Sequence, residues 1–451
     1  MKSFQLLSCS FLLICLSCNT FLDEKPDKKM VIPKSLSDCD LLLNDYTTLN
    51  MGYPACGEWG ADDYFLTPEN WASISNTDQR NAYLWTDEPY TDVVQWQRPY
   101  KAVYLSNQVL ATLDMLKNQT DDPMYQNVLG GAHFYRAFAF HQLVEVYAPA
   151  YVNGQAGAEL GIPLRMSAGI DELSARASLE ESYSQIIADY KLAIHTLPIQ
   201  ELRRGRPGRA AAYAGLARVY LDMGHYADAY AYADSCLRLQ SDLMDFNDLS
   251  DLNELRIPRF NQEVLFPAVS VGAGPMGFYL ACVDSVLIGQ YTADDMRKKI
   301  FFQANENAGN TYSFNGNYDH SYSQLFVGLT SSETYLIKAE AAVRIGKVNE
   351  AQNALNTLLA KRWKSNTYVA IKEPDADILL RLILRERRKE LLFRGRRWAD
   401  LKRLNVDSRF QKTLSRQIDN RNYELAPDSR KYAFRLPDPV VNLGNMPQNK
   451  R

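Results

Sequence analysis

Tyr213-Ala214-Gly215-Leu216-Ala217-Arg218-Val219-Tyr220-Leu221-Asp222-Met223-Gly224-His225-Tyr226-Ala227-Asp228-Ala229, running on to Cys236-Leu237, fixes the architecture of this chain. A bulky aromatic is followed by Leu and a small residue, a Tyr three places later, a Gly turn, and Ala five places beyond the Gly. That spacing predicts two antiparallel helices joined at Gly224. Small residues at Ala217 and Ala229 let the helices approach closely, and Leu216, Tyr220 and Tyr226 fill the space beside them. Cys236 stands where the pattern calls for a small core residue, so it reads as a buried hydrophobe and not a reactive thiol.

This is the tetratricopeptide spacing, and a second copy runs from Tyr335 to Leu359 with Ala339, Gly346 and Ala351 in the corresponding places. Two looser hairpins lie upstream. One spans residues 93–116, with Trp96, Tyr100, Val103, Leu110 and Leu113 at helical spacing. The other pairs residues 131–147 with 178–197, split by a loop containing Gly154, Gly157, Gly161, Pro163 and Gly169. Residues 52–89 and 267–328 are rich in aromatics and turn formers and read as irregular. The expected fold is mostly α: a tetratricopeptide-like scaffold of helical pairs whose long loop insertions form a ligand-binding layer. Residues 18–265 and 266–451 each hold one aromatic zone.

The first 17 residues read as a secretion signal: Lys2, an apolar run from Phe4 to Leu16, then Ser17. The run is too short for a membrane span. Cys18 follows the small residue, a pattern that resembles a bacterial lipoprotein with Cys18 as the lipidated first residue of the mature chain. The formal charge of −3 gives no sign of a nucleic-acid partner. The remaining cysteines, Cys39, Cys56, Cys236 and Cys282, are scattered without metal-ligand spacing, although Cys39 and Cys56 could pair in an oxidising compartment.

Catalytic signatures are lacking. His133 and His141 are eight apart, not on the one face a metal pair requires, and no nucleophile elbow, P-loop or dinucleotide fingerprint occurs. Neither a catalytic nor a metal site, and no cofactor, is expected. Between Arg381 and Arg403 ten basic residues face three acidic ones, but Leu384, Leu391, Leu392, Phe393, Trp398 and Leu401 thread the same segment. Such a stretch must face a core, with Glu386 and Glu390 pairing arginines along the helix.

The aromatics are more informative about binding. Trp59, Trp71 and Trp85 sit among turn formers, whereas Trp96 has helical company and is assigned to the core. The second zone contributes Tyr279, Tyr312 and Tyr318, with Phe278, Tyr322 and several asparagines nearby. Flat apolar faces beside amides and carboxylates such as Asp63 suit a sugar, whose C–H face packs on a ring while its hydroxyls find in-plane partners. An extended peptide is accommodated nearly as well. The candidate ligand contacts are therefore Trp59, Asp63, Trp71, Trp85, Tyr279, Tyr312 and Tyr318, each with a core role as its alternative.

Five segments in order resemble the SusD/RagB family of outer-membrane nutrient-binding lipoproteins. They are Cys18-Asn19-Thr20-Phe21-Leu22-Asp23; His133-Phe134-Tyr135-Arg136-Ala137-Phe138 before Gly161-Ile162-Pro163-Leu164; Ala217-Arg218-Val219-Tyr220-Leu221; Tyr335-Leu336-Ile337-Lys338-Ala339-Glu340-Ala341; and Glu386-Arg387-Arg388-Lys389-Glu390-Leu391 with Gly395-Arg396-Arg397-Trp398-Ala399-Asp400. Arg394 departs from the family's usual Glu, and the Pro-Gly-Tyr ending is absent. The resemblance implies a lipid-anchored, surface-exposed protein of the outer membrane, a lid on a SusC-like TonB-dependent barrel to which it delivers oligosaccharide. Asp23-Glu24 agrees with the acidic export signal of such surface lipoproteins. Two alternatives remain at this level: an oligopeptide-binding member of the family, and a periplasm-facing helical-repeat scaffold for envelope assembly.

Overall fold

The computed structural model describes residues 33–451 apart from 89, 170–173, 251, 253 and 306–308. The signal segment and Cys18 lie outside the described residues. Nine helices carry the scaffold: α1 (Val94–Met115), α2 (Pro123–Tyr147), α3 (Leu179–Thr196), α4 (Arg209–Asp222), α5 (Tyr226–Leu239), α6 (Ser331–Arg344), α7 (Val348–Leu359), α8 (Ala376–Glu390) and α9 (Arg397–Asn405). From α1 to α7 each helix packs on the next, and α8 closes the row against α6 and α7. This mostly α-helical, tetratricopeptide-like row is the architecture expected from the sequence, except that residues 93–116, read there as a hairpin, form the single helix α1, whose partner is α2.

The two template repeats end their first helices in the same way. Gly224 (φ +74°) and Gly346 (φ +80°) take the left-handed conformation. The next residue then bonds back five places, His225 N–H to the Tyr220 carbonyl and Lys347 N–H to that of Ala342. A glycine is favoured there because a Cβ in that conformation meets the carbonyl beside it. Ala217, Ala229, Ala339, Ala351 and Cys236 are fully buried, and burial pushes the Cys236 thiol up to about 12. Ala227 faces solvent. Ala217→Leu should therefore overpack the α4–α5 crossing by about 1–3 kcal/mol. Ala227→Leu should leave the melting temperature nearly unchanged; equal shifts would refute this packing.

The irregular zones hold more helix than their composition suggests. Cys56–Gly60, Pro68–Ser73 and Thr77–Leu84 lie in the first, and Ser285–Ile288 and Met296–Phe301 in the second. Side-chain caps explain four of them: Thr67 accepts from Asn70 N–H ahead of Pro68, Asn76 from Gln79 N–H, Asp284 from Val286 N–H and Asp295 from Arg297 N–H. The loop between α2 and α3 likewise contains a strand pair, Leu160–Pro163 with Arg176–Ser178. Among the described residues strands pair only in twos. Met51–Tyr53 runs parallel to Val269–Ser270, and Tyr64–Phe65 antiparallel to Cys282–Val283, so one continuous core joins residues on both sides of position 265. Cys39 and Cys56 do not pair: both are free and buried, their thiols raised to about 11 and about 12 by burial, beside Thr112 and Tyr147 respectively. Among the described residues no helix is long and apolar enough to cross a membrane.

Candidate ligand-binding site

The basic stretch of α8 and α9 is the frame on which the loops hang. Arg387 pairs with Asp400 of the same stretch (2.8 Å), while the other arginines find acids far away in sequence: Arg396 with Asp222 (2.7 Å), Arg397 with Asp62 (2.6 Å) and Arg403 with Glu340 (2.6 Å). Glu386 pairs along its own helix with Lys389 (3.1 Å), as expected, and also across to Arg297 (2.5 Å), whereas Glu390 pairs with the distant Arg362 (2.9 Å) and Arg297 (3.2 Å). Arg388 matters most for the site. Its guanidinium reaches Asp63 (2.7 Å), the Asp62 carbonyl (2.8 Å) and Asp284 (3.1 Å), so one side chain ties the first aromatic zone to the second. Asp63 is therefore a buried structural anion and not a ligand contact, which corrects its assignment from sequence.

Three of the proposed aromatic contacts are core residues. Trp59, 3% exposed, donates its indole N–H to the Ala273 carbonyl (3.0 Å), and Gly274 lies against its ring so closely that a Cβ would come within 2.7 Å. Trp85, 4% exposed, donates to the Gly60 carbonyl (2.9 Å) beneath the Arg416 guanidinium. Tyr318, 1% exposed, donates to Glu263 (2.8 Å) and is covered by Arg394 at 4.0 Å. Turn-rich surroundings misled here: a loop folded onto the scaffold buries its large side chains as a helix does. Arg394, the departure from the family pattern, is thus satisfied by Tyr318 and Phe326 rings and by the hydroxyls of Thr330 and Ser332. Trp96 is core, as expected.

Trp71, Tyr279 and Tyr312 remain at the surface. The two zones do meet: beside the Tyr64–Phe65 and Cys282–Val283 pairing, Asn70 Nδ2 donates to the Leu280 carbonyl (2.8 Å). Trp71 on Pro68–Ser73 is half-buried, with the Arg80 guanidinium 5.6 Å from its ring and its indole N–H without a partner among the described residues. Tyr279 is 83% exposed and stands edge-on to Phe278 (5.1 Å), which in turn lies 4.4 Å from Tyr322. The Phe278 carbonyl and Asn305 Oδ1 are each 2.7 Å from Ser313 Oγ, one residue from the half-buried Tyr312. Tyr322 is anchored by its hydroxyl to the Glu254 carbonyl (2.7 Å), and partial burial raises its phenol above the ordinary value. The result is an aromatic platform, the exposed Tyr279 with the half-buried Phe278 and Tyr322, beside amide and hydroxyl groups.

Phe278, Tyr322, Arg80 and Asn70 were absent from the residues chosen from sequence. Phe278 and Tyr322 carried the same signal as Tyr279, aromatic residues in a turn-rich zone; only their exposure separates them from Tyr318. Elsewhere His141, Glu145 and Asp222 bring metal-competent atoms together in the core. His141 lies 3.1 Å from Asp222, but Arg396 contacts both carboxylates and already supplies the cation.

A family model described as "Starch-binding associating with outer membrane" matches residues 20–221, and one described as "SusD family" matches residues 294–438. The chain is 24% identical over 419 residues to SusD-like protein P2 of Formosa agariphila, spanning 78% of this chain and 79% of that one. A SusD superfamily protein from Bacteroides thetaiotaomicron superposes with a TM-score of 0.74 at 21% identity, covering 92% of this chain and 100% of the other. A SusD-like carbohydrate binding protein from Bacteroides vulgatus gives 0.68 at 17% identity, covering 92% and 97%. At these identities the superpositions speak to the fold.

Proposed function

The chain belongs to the SusD/RagB family, and from that premise we propose that it captures a glycan nutrient at the outer membrane and delivers it to a SusC-like TonB-dependent transporter. It acts by binding, not by catalysis. Cys18 bears the lipid anchor that holds it at the cell surface. The platform of Phe278, Tyr279 and Tyr322, on a segment tied to that of Trp71 by the Asn70–Leu280 hydrogen bond, carries this reading: it presents aromatic rings at the surface, with polar groups around them, where a sugar can stack and hydrogen-bond. The descriptions of the matching family model and of the Bacteroides vulgatus relative point the same way.

The test is a binding series on the purified protein with neutral and charged oligosaccharides and with mixed peptides. Tyr279→Ala and Trp71→Ala should each weaken oligosaccharide capture by about 1–3 kcal/mol, several-fold or more. Because Tyr279 is exposed, its melting temperature should hardly move. Undiminished glycan binding in both variants would sink the site, and capture of peptides alone would replace glycan by peptide as the ligand.

A further inference from the structure

Two clefts share Phe260 in their walls, and the second of them reaches Ser321, the residue before Tyr322. One cleft, of about 530 Å³, is lined by the loop from Ile199 to Gly208 and by Phe260. The other, of about 640 Å³, is lined by Tyr46, Arg259, Asp319 and His320, again with Phe260. Both are within the range of small-ligand sites. Phe260 (φ +52°) and His320 (φ +55°) hold left-handed backbone conformations that bulky residues avoid. Such strain persists only where the surroundings impose it, and it gathers at binding sites.

The cations around this ridge differ in how far they are neutralised. Arg259 stands 4.8 Å from the Phe260 ring and is paired with Asp319 (3.1 Å) and the Tyr46 hydroxyl (3.0 Å). Arg204 stands 5.7 Å from the same ring, is exposed, and has no carboxylate partner among the described residues. Its neighbours are fixed. Arg203 is held by Asp40 (2.7 Å), while the Gly205 carbonyl accepts from Asn50 (2.9 Å) and Tyr135 (3.1 Å). Gly205 itself (φ +93°) lies against Tyr46, where a Cβ would meet the ring at 2.8 Å. The loop thus presents one unpaired guanidinium from a firm base, beside an aromatic ring and in the wall of the first cleft. A planar fork of N–H donors selects a planar or tetrahedral oxyanion, and the ring beside it suits a sugar's apolar face.

We propose that the Phe260 ridge is a second carbohydrate site that takes an acidic sugar, one bearing a carboxylate or a sulfate, with Arg204 as the anion contact. Calorimetric titration tests this on the native protein and on Arg204→Ala, Phe260→Gly and Trp71→Ala. The probes are a galacturonate oligomer, a sulfated galactan oligomer and a neutral galactan oligomer of equal length, each at low and high salt. Glycine is the substitute at Phe260 because it tolerates the positive φ. Arg204→Ala and Phe260→Gly should weaken binding of an acidic oligomer at least about fivefold with unchanged melting temperature, and should leave the neutral one unaffected. In the native protein the acidic preference should shrink at high salt. Response to the galacturonate alone would assign a carboxylate, and response to the sulfated galactan alone a sulfate. Trp71→Ala reports on the platform, so its loss of neutral binding with Arg204-dependent acidic binding intact separates the two sites. Failure of the native protein to bind either acidic oligomer, or binding of both that survives Arg204→Ala, overturns the proposal.

Discussion

Arg388→Met should destabilise the protein by about 3 kcal/mol, because it takes from the buried Asp63 its nearest counter-charge. Asp63 loses its 2.7 Å partner and is left with Arg397 at 3.6 Å, the partly exposed Asp284 loses its 3.1 Å partner, and Asp62 keeps Arg397 and Lys412. Methionine fills most of the stem volume, so the loss is electrostatic more than a cavity effect. The damage should be directional as well as large. Asp284 caps Ser285–Ile288 through Val286 N–H, and its own backbone N–H bonds to the Asp63 carbonyl. Freed from Arg388, both aromatic zones should show raised hydrogen exchange around residues 62–66 and 280–288, whereas α4 and α5 stay protected. Urea unfolding with exchange mass spectrometry reads both effects; a shift below about 1 kcal/mol, or exchange rising evenly throughout, would refute the bridging role.

The second large effect is a pH dependence centred on Glu58. Burial pushes its carboxyl up from 4.5 to about 8, reinforced by nearby Asp63 and Asp400 and opposed by the Trp398 N–H and by Arg396. Its Oε1 accepts from Trp398 N–H (3.0 Å), and its Oε2 has no partner among the described residues, as suits a protonated acid. It cannot move away. Gly57 and Gly60 on the same short helix lie so tightly on the Trp398 ring that a Cβ at either would come within 2.9 Å. The unfolded chain releases this proton above about pH 4.5, while the folded protein keeps it to about 8. Folded protein then binds the extra proton, so this contribution is full below 4.5, falls as pH rises through the interval, and levels off above 8. At about 1.4 kcal/mol per pH unit the loss is on the order of 3–5 kcal/mol. Glu58→Gln removes it. Denaturation curves of the two proteins at acid and at mildly alkaline pH should diverge by that order, with the variant gaining relative stability as pH rises; parallel curves would show that Glu58 ionises normally.

Both effects arise where distant segments meet, and that marks how far the sequence could be read. Helical repeats were legible because their information is local. Gly224 and Gly346 mark turns, and the alanines at 217, 229, 339 and 351 mark close crossings, within windows short enough for one spacing to reveal. Short helices in the aromatic zones were missed because four to eight residues show no periodicity; their caps at Thr67 and Asn76 were the available signal.

The sequence by itself determined the helical-repeat architecture, the family and the two zones from which a site would be drawn. Tertiary structure alone decided which aromatics in those zones meet solvent. Trp59, Trp85 and Tyr318 have the same neighbourhood chemistry as Trp71 and Tyr279, yet their polar atoms are met by carbonyls or carboxylates more than 20 residues away, at Ala273, Gly60 and Glu263. Burial of a large side chain depends on what the rest of the chain brings against it, and no local composition encodes that. The pairing of Arg388 with Asp63 across 325 positions is the same lesson in charge. Adjacent carboxylates and a basic helix can be seen in the sequence, but only the folded chain shows that one neutralises the other and, in doing so, holds the two aromatic loop zones together.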